Sequence, residues 1–398
     1  MSRAGGLGQL AGVRVVDFSQ ALSGPYCTLM LADLGADVIK IENPDRGDDS
    51  RHWGPPFVGA DAAYFMSVNR NKRSVACDLK DPAGLRIVTE LVQTADVVVE
   101  NWRPGTAARL GVGAERLRAT NPRLVYCSIS GYGQDRGPLS GYDQIVQGTS
   151  GVMPMTGPPG VPTKWGVPIG DIAAGMFAAA SITAVLLERE RTGTGRVIDI
   201  AMQDSLVSML THHAARHLHT GVVPPSDHNG HSTIVPYGTF RTADGFVNVC
   251  VGNDSQFHRL CEALDRRDLA ADPRFATNPL RVTAKQDLLA VVDPIFAALT
   301  TAQVVAALER VGVPVGAVRD IGEVLADPAT AQRHMLLDFD RADVAGVRVV
   351  NTPWKIDDAA PSVRRPPPRL GEHTDEVLGE LSAARAAGST GGRGVNYC

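Results

Sequence analysis

The chain has 398 residues, 44% hydrophobic, 21% charged and only 5% aromatic, with a formal net charge of -4. This is ordinary globular composition, long enough for two domains or one large domain carrying an insertion. The small negative charge and the lack of any long Lys/Arg run speak against nucleic acid or an anionic membrane as partner.

The opening stretch MSRAGGLGQLAG has one arginine and no apolar core, which is not a secretory signal pattern. Short runs rich in β-branched residues follow at 13–18, 38–42, 74–79, 96–100, 124–129 and 197–200. Helical stretches separate them at 25–34, 82–94, 106–121 and 171–190. Nearly all-apolar strands alternating with helices predict an α/β fold with a largely parallel sheet covered on both faces. The longest uncharged apolar run, IAAGMFAAASITAVLL at 172–187, is shorter than the roughly 18–20 residues that span a bilayer. It reads as a buried helix.

Beyond 200 the texture changes. A linker helix and loop at 201–224, with the helix over 202–219, leads into a smaller α+β unit at 225–330 containing a hairpin near 238–251. A strand at 346–350, a proline-rich segment and a helix from 374 then return the chain to the first domain over 331–380. The Gly-rich end, 381–398, is expected to be a disordered tail. Six cysteines (27, 77, 127, 250, 261 and 398) form no CxxC and several lie in apolar runs, as reduced core thiols of a cytoplasmic protein do.

Several chemistries are excluded by spacing. No GxGxxG follows the first strand, no GxxxxGK[ST] occurs, and no GxSxG elbow is present. Four histidines crowd 212–219 without HExxH spacing, so no metal site is expected, and histidines near a helix C-terminus also suit the dipole. His228 and His231 lie in a loop that could line a pocket.

Two other features carry chemistry. Asp171 follows a Gly/Pro-rich loop at the start of the apolar helix. One reading is a helix cap, worth about 1 kcal/mol. The other uses the same physics, with helix NH groups and dipole holding the carboxylate ionised and aimed at an electrophile. The basic run 69–73, together with Asn101, Trp102, Arg103 and Arg109 after another strand, reads either as a phosphate and base site at the sheet edge or as solvated loop charge.

The segments 10–51, NRNKRSVACDLKDPAG, VENWRPG, NPRLVYCSISGYGQ, GYDQIVQGTSG, GDIAAGMFAAAS and TGTGRVIDIAMQDS closely resemble the family III CoA-transferases, a family related to the 2-methylacyl-CoA racemases. The resemblance runs from about residue 10 to 380. It implies a Rossmann-like large domain built from both chain ends (1–200 and 331–380), a smaller domain between, and two interlocked chains. It also implies Asp171 as a nucleophile that passes through an acyl anhydride and an aspartyl-CoA thioester. Coenzyme A enters as substrate, and no permanently bound cofactor is expected. The implied CoA contacts are Leu22, Ser23, Asn43, Cys77, Asp78, Leu79, Lys80, Asn101, Trp102, Arg103 and Arg109. Asn43 departs from members with Arg there.

Racemases of this type resemble GHD where this chain has Gly141-Tyr142-Asp143. A phenol with a reference pKa of about 10 is a poor substitute for imidazole in proton exchange. Transfer is therefore favoured over racemase-like chemistry and over a non-catalytic CoA-binding protein. The substrate pocket is expected to include Tyr142, Asp143, His228, Asn229 and Gly230. The HNGHST segment stands where formyl-CoA:oxalate members have a run of glycines, so oxalate is not favoured; the expected pair is succinyl-CoA as donor with a small dicarboxylate or branched acid as acceptor.

Overall fold

The structure is a computed structural model describing residues 7–390. In chain order the first elements are β1 (Arg14–Asp17), α1 (Ser23–Asp33), β2 (Asp37–Glu42), β3 (Lys72–Ala76), α2 (Pro82–Gln93), β4 (Val97–Glu100) and β5 (Val125–Ser130). Then come α3 (Asp143–Thr149), α4 (Ile169–Thr192), β6 (Val197–Ala201), α5 (Met202–Ser208) and α6 (Thr211–Thr220). The six strands form one parallel sheet in the order β3-β2-β1-β4-β5-β6. Strand order reverses direction between β1 and β4. In doubly wound sheets a crevice opens at the carboxyl ends of two such strands.

Alternating residues feed two apolar layers. Val15, Val97, Val99, Cys127 and Ile129 pack with Ala174, Ala178 and Ile182 of α4 on one face. Val16, Ile39, Val98 and Tyr126 pack with Val88, Leu91 and Val92 of α2 on the other. Each fully buried aliphatic side chain stabilises the fold by about 1.5–3 kcal/mol. Helix α2 begins where the sequence says it should, since Asp81 accepts from the Ala83 N–H and Pro82 sits at the first turn. Helix α4 runs 24 residues and is long and apolar enough by composition to cross a membrane, yet its small residues are buried against the sheet and α1.

By contacts the chain divides into two compact units. The first holds the described residues up to Val152, Lys164–Ala215 and those from Pro328 on, and the second holds Met153–Thr163 and Arg216–Asp327. The second unit contains β7 (Tyr237–Arg241), β8 (Phe246–Cys250) and β9 (Val315–Ala317), antiparallel in the order β9-β8-β7. Its core gathers Phe240, Val249, Phe257, Phe296 and Leu308. Segment 153–163 joins this unit, whereas the sequence alone leaves it with the first. Back in the first unit, β10 (Leu336–Arg341) and β11 (Val344–Val350) form a hairpin, and α7 (Thr374–Thr390) lays Val377 and Leu381 on the α2 face of the sheet.

Four expectations need correction. The tail expected from 381 is helical to Thr390, because LSAARAA is rich in strong helix formers and Leu381 is buried; 391–398 lie outside the described residues. The helix expected over 202–219 breaks in two, because Thr211 adopts a left-handed φ of 39°. The strands are not all apolar, since Lys40 of β2 and Lys72 of β3 are fully buried. The basic run 69–73 is neither solvated nor a phosphate site, for all five side chains are buried. Arg70 pairs with Asp33 of α1 and donates to the Val350 carbonyl, while Asn71 bridges Asp33 and the Ser362 carbonyl. Thr352 completes the cluster on Asp33. These charges fasten the returning C-terminal segment to the sheet.

Candidate active site

The site begins in the turn between β1 and α1. Asn101, just past β4, clamps that turn from across the reversal point: its Oδ1 accepts from the Gln20 N–H, and its Nδ2 donates to the Gln20 carbonyl, all at 2.8 Å. The same Nδ2 lies 3.1 Å from Ser23 Oγ. Below the turn is a buried charge network. Asp48 accepts from the Ala21 N–H at 3.0 Å and pairs with Lys40 at 2.8 Å, and Lys40 also donates to the Ser19 carbonyl. Asp17 accepts from Thr28, Ser19 and Lys72. Burial works to raise the Asp17 carboxyl, but Lys72, Lys40 and the two hydroxyls hold it below the usual carboxylate range. Lys72 itself is pushed down to about 8 by burial, against the pull of Asp17. Ala21 takes φ 64°, a left-handed conformation that costs a residue with a Cβ some energy and that these anchors maintain.

Asp171 reaches this turn from α4. The helix is capped by Pro168, which offers no side-chain bond, so Asp171 sits inside the first turn and is not the cap. Gly175, one turn later on the same face, permits the approach: a Cβ there would lie 2.7 Å from the Ser23 carbonyl oxygen. The hydroxyl and the backbone N–H of Ser23 lie near enough to the Asp171 carboxylate to favour its ionised form. The expectation that helix groups keep this carboxyl firmly ionised is not met. Burial first, and the nearby Asp143 second, push it up to about 7, while the two Ser23 bonds pull it down. Such a carboxylate is more basic than a free one, and basicity strengthens a nucleophile once ionised.

Asp143 has a second effect. Its Oδ1 accepts from the Gly170 N–H at 2.8 Å, and its Oδ2 accepts from Gln147 of α3 at 2.7 Å. Gln147, fully buried, accepts in turn from the Trp165 N–H at 2.8 Å. The loop leading into Asp171 is therefore held at both ends. Tyr64 closes the other side, with its phenol pushed up to about 12 by burial and then by Asp171, and its ring set edge-on to Trp53 at 5.2 Å.

These groups line one cleft of about 560 Å³. Of the residues singled out in the sequence, Ser23, Asn101, Trp102, Arg103, Tyr142, Asp143 and Asp171 share its wall. Leu22 is buried beside it with Leu29 and Val68. The others lie outside that wall. Asn43 turns its side chain onto the Asp45 and Arg46 N–H groups. Cys77 is buried, donates to the Gly84 carbonyl, and is pushed up to about 11 by burial. Asp78 accepts from the Lys80 N–H, Leu79 packs on the α2 layer, and the Lys80 side chain is exposed. Arg109 is exposed near Thr106. His228, Asn229 and Gly230 belong to the second unit and line a hollow of about 180 Å³ there with Tyr237 and Lys285. No group of metal-binding side chains occurs among the described residues, His212–His219 included.

Residues 10–374 match the model of CoA-transferase family III. The chain belongs to that family. It is an enzyme of the acyl-CoA:carboxylate transferase class, and its substrates are CoA thioesters and carboxylic acids. It is 43% identical to a succinate–glutarate CoA-transferase of Agrobacterium fabrum over 94% of this chain and 95% of the relative. It is 39% identical to the human succinyl-CoA:glutarate CoA-transferase, over 94% of this chain and 86% of that protein. In structure this CoA-transferase is similar to a CaiB/BaiF family protein from Brucella suis, with a TM-score of 0.85 and 38% identity over 94% and 100% of the two chains.

Sequence reasoning missed Tyr64, Trp53 and the bonds from Ser23 to the nucleophile candidate. Nothing in the residue order signals them, because each comes from a different stretch of the chain and only the fold brings them to Asp171.

Proposed function

We propose that this CoA-transferase works by covalent catalysis at Asp171 and moves coenzyme A between small dicarboxylic acids. The observation that carries the reading is a half-buried carboxylate, raised to about 7, beside Ser23 on the wall of the cleft. An Asp171 oxygen attacks the donor thioester carbonyl; a C–O bond forms, the C–S bond breaks, and CoA thiolate leaves from a mixed anhydride. The thiolate attacks the aspartyl carbonyl, releasing the donor acid and leaving an aspartyl-CoA thioester. The acceptor carboxylate attacks that thioester to give a new anhydride and thiolate. Thiolate attack on the acceptor's acyl carbon then yields the new acyl-CoA and restores Asp171. Activation is conserved at each step, so no nucleotide is consumed, provided water is kept from the anhydride.

The names of the relatives support dicarboxylates, because succinate and glutarate recur among them. The reading includes an interlocked homodimer with a large domain built from both chain ends. Its support is the uncovered apolar side of α4, where Met176 is 50%, Phe177 42% and Leu187 68% exposed. The test is mass spectrometry of enzyme mixed with succinyl-CoA. An adduct on Asp171 that is absent in Asp171→Asn supports the mechanism, and an adduct on another residue refutes it.

A further inference from the structure

The cleft that holds Asp171 is acid-rich. Asp49, Asp143 and Asp171 line it, against two cations, Arg103 and Lys164. Neither cation has a side-chain partner among the described residues. They stand on different supports. Arg103 follows Trp102 at the carboxyl end of β4, on the sheet edge. Lys164 opens the loop that leads into Asp171, and that loop is tied down at its neighbour Trp165 by Gln147 and at Gly170 by Asp143. Its ammonium therefore works from a fixed base.

An acceptor acid is an anion, and a wall of carboxylates repels it. In a monocarboxylate the single charge is consumed as the new bond forms. A dicarboxylate retains a second charge that takes no part in the chemistry and loses water on entering the cleft. Such a charge needs a cationic partner. A lysine is suited to it, as a compact charge on a long stem that can follow acids of different length.

We propose that Lys164 pairs with the non-reacting carboxylate of the dicarboxylic acid and so determines substrate choice. The inference rests on the functional reading above and deepens it. The test compares wild type, Lys164→Met and Lys164→Arg in two assays, succinyl-CoA with glutarate and butyryl-CoA with pentanoate. Lys164→Met should raise KM for glutarate about tenfold or more, as expected for losing one charge-assisted bond. It should leave kcat and the KM values for pentanoate and butyryl-CoA within about threefold, and Lys164→Arg should restore most of the loss.

Equal losses with both acids, or no transfer to glutarate by the wild type, would overturn the assignment. A rise in KM for butyryl-CoA would do so too, by assigning Lys164 to the CoA phosphates. The butyryl adduct on Asp171, measured in Lys164→Met, reads the nucleophile separately. If no adduct forms on Asp171 in any variant, the covalent reading fails while the KM ratio still decides Lys164. The side chain is exposed, so neither substitution threatens folding.

Discussion

Ser23 Oγ accepts from the Asn101 amide at 3.1 Å, and its hydroxyl favours the ionised form of the Asp171 carboxylate. A residue at the end of β4 thus orients a hydroxyl at the start of α1, which aims a carboxylate at the start of α4. Ser23→Ala removes the middle member. We expect kcat to fall about tenfold, because a hydrogen bond to a charged group is lost. The acid limb of the pH–rate profile should move to higher pH, because a group that favoured the ionised carboxylate is gone. An unchanged profile would show that Ser23 does no more than pack.

The wild-type profile has its own signature. With the Asp171 carboxyl raised to about 7, the ionised nucleophile dominates only above that value. Transfer should climb through pH 6 to 8 and level off, falling about tenfold per pH unit on the acid side. A profile flat from pH 5 to 8 would mean that the reacting carboxylate is not perturbed.

The same perturbation bears on stability. Between 3.8, the ordinary value, and about 7, the folded protein keeps a proton on Asp171 that the unfolded chain has lost. The folded state binds more protons in that window, so this residue's contribution to stability falls as pH rises through it. Asp171→Asn removes the effect. Its stability advantage over wild type should widen by roughly 1–2 kcal/mol between pH 5.5 and 8, measured by urea unfolding. A constant difference would contradict the burial of the charge.

Gly175→Ala tests the close approach of α4. The new methyl would meet the Ser23 carbonyl oxygen at 2.7 Å and Tyr26 at 3.2 Å. The helix must shift, which should destabilise the protein by about 1–3 kcal/mol and lower kcat more than it raises KM. Wild-type kcat in a folded variant would show that the spacing is not needed.

Arg70→Met addresses the buried pair with Asp33, in which neither side chain is exposed. Removing one partner leaves an uncompensated charge and should cost about 3–5 kcal/mol. KM for acyl-CoA should not change in protein that remains folded, in contrast to what a phosphate contact would give.

The parallel sheet was readable because β-branched runs such as VRVVD and DVVVE have few alternatives, and a helical stretch separates most neighbouring pairs of them. Strand limits were less readable. The run SVACDL suggests a strand at 74–79, but pairing covers Lys72–Ala76, because Lys72 and Arg73 are neutralised by Asp17, Asp37 and Glu380. One sequence does not show such partners, so the basic run reads as a phosphate site or as solvated charge and not as a buried cluster. The start of α4, within two residues of Asp171, was legible from the Gly/Pro loop before an apolar run. The carboxyl's raised proton affinity was not, because it arises from burial and from Asp143, which the fold brings in.

The bonds from Arg70, Asn71 and Thr352 around Asp33 have a consequence for synthesis on the ribosome. The sheet strands are all made before residue 202, but the groups that complete the hydrogen bonding of Asp33, Arg70 and Asn71 include Val350, Asn351, Thr352 and Ser362. A nascent chain halted ahead of this segment has its six strands and an incomplete buried charge cluster. Final locking of the parallel sheet must therefore wait for the last fifth of translation, with the whole intervening unit already emerged.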